Sequence, residues 1–292
     1  MRWGVARVGL AAALLSTLSF GGAGSSALAA NSETSPTKPF PSVPFVVGCA
    51  VSHEADADPI LHPKMSGKSH RHVFFGNRST SADSTLSTLR KSATTCEDPL
   101  DRASYWMPGL IGKATWTNMR AYYLAGGVAS GSVKPFPFGL QMIAGWTFDA
   151  ENGPRSVTWS CGLLADQDGW SASKPKTCRT GTNIAVRIDF PQCWTGSELN
   201  HGRSGVNVAR PVDGSCPRGF PVAMPLLRIR AEIRGEASAL SSGGFETMHA
   251  DFWNVWEPKR LEQLVATCIR GERTVQREVR RCGVPGAGPR KG

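Results

Sequence analysis

The segment V-A-M-P-L-L-R-I-R-A-E-I, residues 222–233, carries the clearest strand pattern of the chain. In its second half, Leu227, Ile229, Ala231 and Ile233 alternate with charged residues. A period of two places the apolar side chains on one face of a strand and the charged side chains on the other. The segment therefore predicts a half-buried strand.

Similar signals recur in short pieces along the chain. Apolar runs bounded by turn residues predict further strands at 44–50, 73–75, 114–123, 139–144, 157–161 and 184–190. Only residues 80–91 and 258–270 have a helical pattern, and in the second Pro258 suits the first helical position. The 32 Gly and 20 Pro favour turns. These features predict a mainly β protein, a β-sandwich or jelly-roll-like single domain with few short helices.

Eight cysteines lie between residues 49 and 282, and none forms a C-x-x-C pair. An even number of cysteines in an exported chain indicates a disulfide framework. The sequence allows many pairings, and proximity favours neighbours along the chain. We therefore expect a disulfide-stapled domain with the pairs Cys49–Cys96, Cys161–Cys178, Cys193–Cys216 and Cys268–Cys282.

The N-terminus is typical of a secretory signal. Arg2 and Arg7 precede an apolar stretch at 8–20, and Ala27-Leu28-Ala29 fits a cleavage site. No later segment approaches the ~20 apolar residues of a membrane span. We therefore expect a secreted, extracellular protein without a transmembrane segment after signal removal. Its predicted parts are a signal peptide (1–29), a polar Pro-rich linker (30–44), a single domain (45–270) and a basic tail (271–292).

The formal net charge is +10, and basic residues cluster from Arg270 to Lys291. For an exported protein, this charge favours a polysaccharide or anionic cell-wall polymer as partner, and we expect no nucleic acid. A solvated tail is the alternative. The chain contains no P-loop, G-x-G-x-x-G or G-x-S-x-G motif, which argues against nucleotide binding and against a serine hydrolase of the α/β type.

The segment S-H-R-H-V-F-F-G-N, residues 69–77, contains the first candidate site. Residues two apart on a strand point to the same side, so His70 and His72 could share one space. Two such imidazoles can form half of a metal site or the polar floor of a catalytic site. The alternative is that both satisfy buried backbone groups.

His249 and Asp251 form a second pair with the same spacing. A carboxylate beside an imidazole can ligate a metal, orient the ring or support acid–base chemistry, and the alternative is a hydrogen-bonded turn. His201 lies in a polar loop after Cys193-Trp194, where a disulfide could position it as a binding residue.

Acidic and aromatic residues add weaker candidates. Asp98 and Asp101 precede Trp106, and paired carboxylates near Trp occur at sugar-cleaving sites. His53 and His62 lie in an irregular acidic stretch and are expected to be peripheral, with a calcium or zinc contact as the alternative. Nine Trp against three Tyr is an unusual ratio, and Trp serves cores and sugar-binding faces alike. The Trp residues considered for sugar stacking are Trp106, Trp146, Trp194, Trp253 and Trp256.

Eight segments in one order resemble the domain of unknown function 1996 family, found in secreted actinobacterial and fungal proteins. They lie at 69–77, 94–96, 101–108, 136–145, 159–161, 190–196, 216–225 and 249–252. The resemblance covers roughly residues 45–270 and adds weight to His70, His72, His201, His249 and Asp251. The chain departs from the family pattern at Ala250, where Gly is usual, at Trp146, where Asp is frequent, and at Gly202-Arg203, where a second His is usual.

Three functions follow as hypotheses. The first is an extracellular enzyme acting on cell-wall or other polysaccharide, with Asp251 or Asp101 as acid–base group and His70, His72 and His249 as polar floor. The second is a non-catalytic glycan or cell-surface binding protein. The third is a metal-binding protein that uses the same three histidines. The sequence leaves the cofactor open, but cleavage before Ala30 or Asn31 excludes a copper site built on an N-terminal histidine.

Overall fold

The computed structural model describes residues 42–146, 156–162, 169–200, 207–272 and 282. These residues form fourteen strands and two α-helices. The strands are β1 (Phe45–Cys49), β2 (Val51–Ala55), β3 (His72–Gly76), β4 (Ser104–Pro108), β5 (Leu110–Trp116), β6 (Met119–Leu124), β7 (Gln141–Gly145), β8 (Val157–Cys161), β9 (Ile184–Asp189), β10 (Cys193–Trp194), β11 (Val208–Ala209), β12 (Val222–Ala223), β13 (Leu226–Leu240) and β14 (His249–Trp253). The helices are α1 (Leu86–Lys91) and α2 (Pro258–Leu264), which continues into a π-helical turn, Val265–Ile269. Short 3-10 helices lie at Ser130–Ser132 and Phe245–Thr247.

The strands pair in three antiparallel sheets. The first has the order β1-β6-β13-β9-β8, with β5 also paired to β13. The second has the order β2-β3-β4-β14-β7, and a small third sheet has the order β11-β10-β12. One core cluster contains residues of both large sheets, for example Ile188 and Ile229 of the first and Phe75 and Phe252 of the second. The mainly β, sandwich-like fold class predicted from the sequence is therefore confirmed.

The alternating segment forms β13, the central strand of the first sheet. Its apolar residues, Leu227, Ile229, Ala231 and Ile233, are all buried. The predicted start at residue 222 was wrong, because β12 ends at Ala223 and β13 begins only at Leu226. Pro225 between them has no N–H to donate to a strand ladder, which explains the break.

Other predicted boundaries also need correction. Residues 114–123 form parts of two strands, β5 and β6, because one extra residue between Trp116 and Arg120 interrupts their pairing with β13. The helix expected at 80–91 begins only at Leu86, since Thr85 caps it through a reciprocal pair of hydrogen bonds with Thr88.

All four predicted disulfide pairs are present: Cys49–Cys96, Cys161–Cys178, Cys193–Cys216 and Cys268–Cys282. No helix in the described part of the chain is long and apolar enough to cross a membrane. The predicted signal peptide and most of the basic tail lie outside the described residues. Arg270, at the start of the basic cluster, pairs with Glu262 and Glu272.

The second sheet has two different faces, and this difference positions the candidate site. Because side chains alternate along a strand, Phe75, Tyr105 and Phe252 point into the core shared with the first sheet. Phe74 and Trp106 point the other way, into a smaller cluster that includes residues of the 56–71 loop and α1. We call these the inner and the outer face. The loop and α1 cover the outer face.

Candidate metal centre

The outer face brings together two histidines that are far apart in the chain. His72 begins β3 and His249 begins β14, and β4 lies between these two strands. Strands on either side of a third lie about 10 Å apart. The two imidazole rings span this gap, so that their centroids lie 5.6 Å apart. Both side chains are buried, with 0% and 3% exposure.

Backbone carbonyls fix the tautomer of both rings. Nδ1 of His72 lies 2.9 Å from the carbonyl oxygen of Ala57, and Nδ1 of His249 lies 2.9 Å from that of Thr247. A carbonyl oxygen can only accept, so each Nδ1 carries the proton and each Nε2 carries a lone pair. The two Nε2 atoms are 3.4 Å apart. The lone pairs of two buried acceptors therefore meet at this point.

His70 adds a third imidazole from the end of the 56–71 loop. Its ring centroid lies 4.2 Å from that of His72 and 5.2 Å from that of His249. Within the described residues, Nε2 of His70 is buried and has no hydrogen-bond partner. Each of the three rings offers one nitrogen within 4.8 Å of the other two. The cluster thus provides three converging nitrogen ligands.

The three imidazoles are neutral near pH 7. Burial lowers the pKa of His249 to about 4. Burial, together with His70 and His249, lowers the pKa of His72 well below its usual value. Burial also lowers the pKa of the half-exposed His70. Neutral imidazole is the form that binds a metal ion, so no proton has to be displaced first.

Asp251 lies two residues along β14 from His249 and points to the same face. The side chain is completely buried, and neither carboxyl oxygen has a hydrogen-bond partner in the described part of the chain. One oxygen, Oδ2, lies 3.9 Å from Nε2 of His249. Burial raises the pKa of Asp251 well above its usual value, and the nearby Asp58 raises it further. The carboxyl group therefore places a buried oxygen beside the histidines.

Trp146 lies at the edge of the cluster. Its indole stacks on the His249 ring, with centroids 5.9 Å apart and an interplanar angle of 28°. It is 43% exposed, and its backbone has a φ of +44°, which is unfavourable for a side chain of this size. The imidazole cluster is thus bordered by an exposed aromatic ring in a strained conformation.

The structure places the remaining predicted residues elsewhere. Asp101 lies in the core on the inner side of the sheet, where it bonds to Tyr105, and the structure does not bring it to the histidines. Trp106 and Trp253, which were predicted to stack on sugar rings, are buried with 0% and 7% exposure, so neither indole presents a face to solvent. Trp256 is also buried.

Trp194 and His201 complete the list of predicted binding residues. Trp194 is half-buried on the small third sheet and donates from Nε1 to the carbonyl oxygen of Glu198. His201 lies outside the described residues.

Sequence reasoning missed two residues beside the cluster. Asp58 is buried in the loop over the outer face, where its Oδ1 accepts the N–H groups of Ile60 and Leu61. His62, four residues on, is close enough to lower the pKa of both His70 and His72. His62 is expected from the sequence to be peripheral, with a metal contact as the alternative, and Asp58 is not a predicted site residue, because no local pattern indicates that the loop folds back over β3. His53 is structural, with its ring stacked on Phe74 and both nitrogens in hydrogen bonds.

The fold and the site define a class: a disulfide-bonded, mainly β protein with a candidate metal centre on one face of a sheet. The family described as a domain of unknown function, DUF1996, matches residues 58–256. The match covers more than half of the chain, so the protein belongs to this family, as the sequence motifs indicated. No curated protein and no solved structure matches it. The matched range begins at Asp58 and contains all three clustered histidines.

Proposed function

We propose that the protein binds one divalent transition-metal ion through His70, His72 and His249. The observation that carries this proposal is the 3.4 Å distance between Nε2 of His72 and Nε2 of His249, with both Nδ1 atoms bonded to carbonyls. Two buried lone pairs at this distance repel each other. A cation between them converts the repulsion into two coordinate bonds.

The spacing also fits the geometry of a small divalent ion. Zinc–imidazole bonds are about 2.0–2.1 Å long, so two nitrogens on a tetrahedral ion lie about 3.4 Å apart. Square-planar coordination needs a shorter separation, about 2.9 Å for the same bond lengths. Imidazole ligands suit zinc, copper, iron and nickel, and the tetrahedral spacing favours zinc among these.

Metal content and calorimetry test this proposal on the full chain with its disulfides formed. After treatment with a chelator and dialysis, we expect the protein to take up one equivalent of Zn²⁺. His72→Ala and His249→Ala should each weaken binding by more than the roughly 10–100-fold typical of residues behind the ligands. His53→Ala, on the neighbouring strand, is the matched control and should bind like the wild type. Uptake well below one equivalent, or unchanged binding by both ligand variants, would contradict the proposal.

Two features support export from the cell. Residues 1–29 have the pattern of a signal peptide, and four disulfides are typical of a protein in an oxidising compartment. We place a linker at 30–44, the folded domain at 45–270 and a basic tail at 271–292. Recovery of a processed chain from the medium would support this assignment, and retention of an unprocessed chain inside the cell would contradict it.

Trp146 favours a second candidate function, contact with a polysaccharide. Its indole is 43% exposed beside the imidazoles, and exposed indoles suit stacking on sugar rings. A pull-down on insoluble cell-wall glycans tests this. We expect retention by the wild type, a loss with Trp146→Ala and no loss with Trp194→Ala. Release of soluble products would indicate an enzyme, and binding without release would indicate a glycan-binding protein. If the glycans do not retain the protein, neither function on these glycans is supported.

A further inference from the structure

We infer that the metal ion keeps a fourth coordination position, filled by a water molecule that donates a hydrogen bond to Asp251. This inference rests on the metal site proposed above. It assigns Asp251 as a positioning residue for the fourth ligand. It also names the class of ligand that the position takes, which is water or a small anion that displaces it.

Asp251 lacks a hydrogen-bond donor within the described part of the chain. Its carboxyl group is fully buried, and within the described residues neither oxygen accepts a hydrogen bond. The indoles of Trp106 and Trp253 lie on the same face, but their Nε1 atoms also have no hydrogen-bond partner. A buried polar group without a partner costs about 1–3 kcal/mol, and more when it is charged. A donor that arrives with the metal ion removes this cost.

The distance between Asp251 and the histidine nitrogens indicates that its carboxyl group is not a direct ligand. Two ligand atoms on one zinc ion can lie at most about 4.2 Å apart, when they are opposite each other. Oδ2 of Asp251 lies 3.9 Å from Nε2 of His249, and Asp251 does not belong to the set of atoms that lie within 4.8 Å of one another. The carboxylate is therefore beside the first coordination sphere and not within it. A metal-bound water fills the intervening distance.

The usual coordination number of zinc also predicts a fourth ligand. Three protein ligands leave one position of a tetrahedral zinc ion open, and such sites hold a water molecule there. A carboxylate that accepts a hydrogen bond from this water fixes its orientation. His70 is only half-buried, whereas His72 and His249 are buried, so the cluster is more exposed at the His70 ring than at the other two imidazoles. We expect a small anion to approach the fourth position along this ring.

Cobalt substitution tests the inference, because the visible spectrum of Co²⁺ reports its coordination. We expect one Co²⁺ per chain and a spectrum that changes when azide replaces the water. Asp251→Asn should retain Co²⁺, with affinity reduced about 10–100-fold. It should bind azide at least about tenfold more tightly, because the displaced water no longer has its charged partner. Asp101→Asn, an equally buried aspartate on the inner side, should keep the wild-type azide constant.

Two results would overturn the inference while leaving the metal site intact. If azide leaves the wild-type spectrum unchanged but alters that of Asp251→Asn, Asp251 is itself the fourth ligand. If the azide constants of wild type and Asp251→Asn agree, Asp251 does not hold the fourth ligand. Asp251→Ser provides the same comparison if the Asn variant does not fold. Failure to take up Co²⁺ at all would instead contradict the proposed function.

Discussion

The two faces of the second sheet each bury an aspartate, but only the inner one has all its partners. There, Asp101 accepts hydrogen bonds from the N–H of Ala103 and the hydroxyl of Tyr105. The Tyr105 hydroxyl lies 2.6 Å from that of Tyr123, which accepts from Nε1 of Trp256 at 2.9 Å. Donors and acceptors therefore form one chain that ends on the carboxyl group of Asp101.

The outer face is equally buried but does not close in this way. Asp251 has no hydrogen-bond donor among the described residues, and the Nε2 lone pairs of His72 and His249 point toward each other. Burial alone therefore does not distinguish the two sets of polar groups, but their hydrogen bonding does. The inner set stabilises the core, and the facing acceptors of the outer set support the cation site proposed above.

The largest expected effect is stabilisation by metal, and only the outer face should provide it. A ligand that binds the folded state alone stabilises it by about 4 kcal/mol at a thousandfold excess over its Kd. Urea unfolding of the wild type with Zn²⁺ and with chelator should differ by this amount. The difference should disappear in His249→Ala. It should persist in Asp101→Asn, and its loss in that variant would show that the two faces are not independent.

Without metal, the order of the two faces is reversed: a substitution on the inner face should cost more stability than one on the outer face. Asp101→Ala leaves the buried Tyr105 hydroxyl and the Ala103 N–H without their acceptor, which should cost about 3 kcal/mol. Asp251→Ala removes no hydrogen bond among the described residues and replaces a buried carboxyl group with a methyl group. It should change the free energy of unfolding by less than about 1 kcal/mol in chelator. Equal costs in urea titrations would mean that Asp251 has a structural partner after all.

Much of the fold could be predicted from the sequence because its signals are local. Alternation of apolar and charged residues identified β13, and proximity along the chain identified all four disulfides. The wrong element boundaries occur where a single residue interrupts a periodic pattern. Pro225 interrupts a strand, and Thr85 starts a helix late.

The two pairs of site residues could be predicted separately, but their meeting in one cluster could not. Spacing of two suggested that His249 and Asp251 share a face, and both do lie on β14. The same spacing was applied to His70 and His72, although β3 begins only at His72. His72 and His249 are 177 residues apart, so no local pattern predicts their contact. The order of the strands in the sheet brings them together. The family resemblance pointed to these residues without giving their geometry.

The inner face should also impose a pH dependence on stability. Burial raises the pKa of Asp101, hydrogen bonds from Tyr105 and Ala103 oppose this shift, and the nearby Asp98 adds to it, so that the pKa is about 8. An unfolded aspartate releases its proton near pH 4. Between these values the folded state holds the extra proton, so stability falls as pH rises, by about 1.4 kcal/mol for each unit.

Chelator-treated protein should therefore lose about 3 kcal/mol between pH 5 and pH 7 through this one group. Other groups titrate in the same range, so the wild-type slope must be compared with that of Asp101→Asn, which cannot ionise. We expect a shallower slope in the variant. Parallel slopes would show that Asp101 keeps an ordinary pKa and that its hydrogen bonds fully offset burial.

The smallest expected effect tests whether the inner chain of hydrogen bonds acts as a unit. Tyr123→Phe removes the hydroxyl that links Tyr105 to Trp256, which leaves a buried indole N–H without an acceptor. The expected cost is about 2 kcal/mol, measured by urea unfolding. Tyr122→Phe is the matched control, because the adjacent residue in β6 points to the opposite side of its strand and should change stability by less than about 0.5 kcal/mol. If the two variants lower the free energy of unfolding equally, the inner hydrogen bonds contribute no more than packing does. Hydrogen-bond satisfaction would then no longer distinguish the two faces.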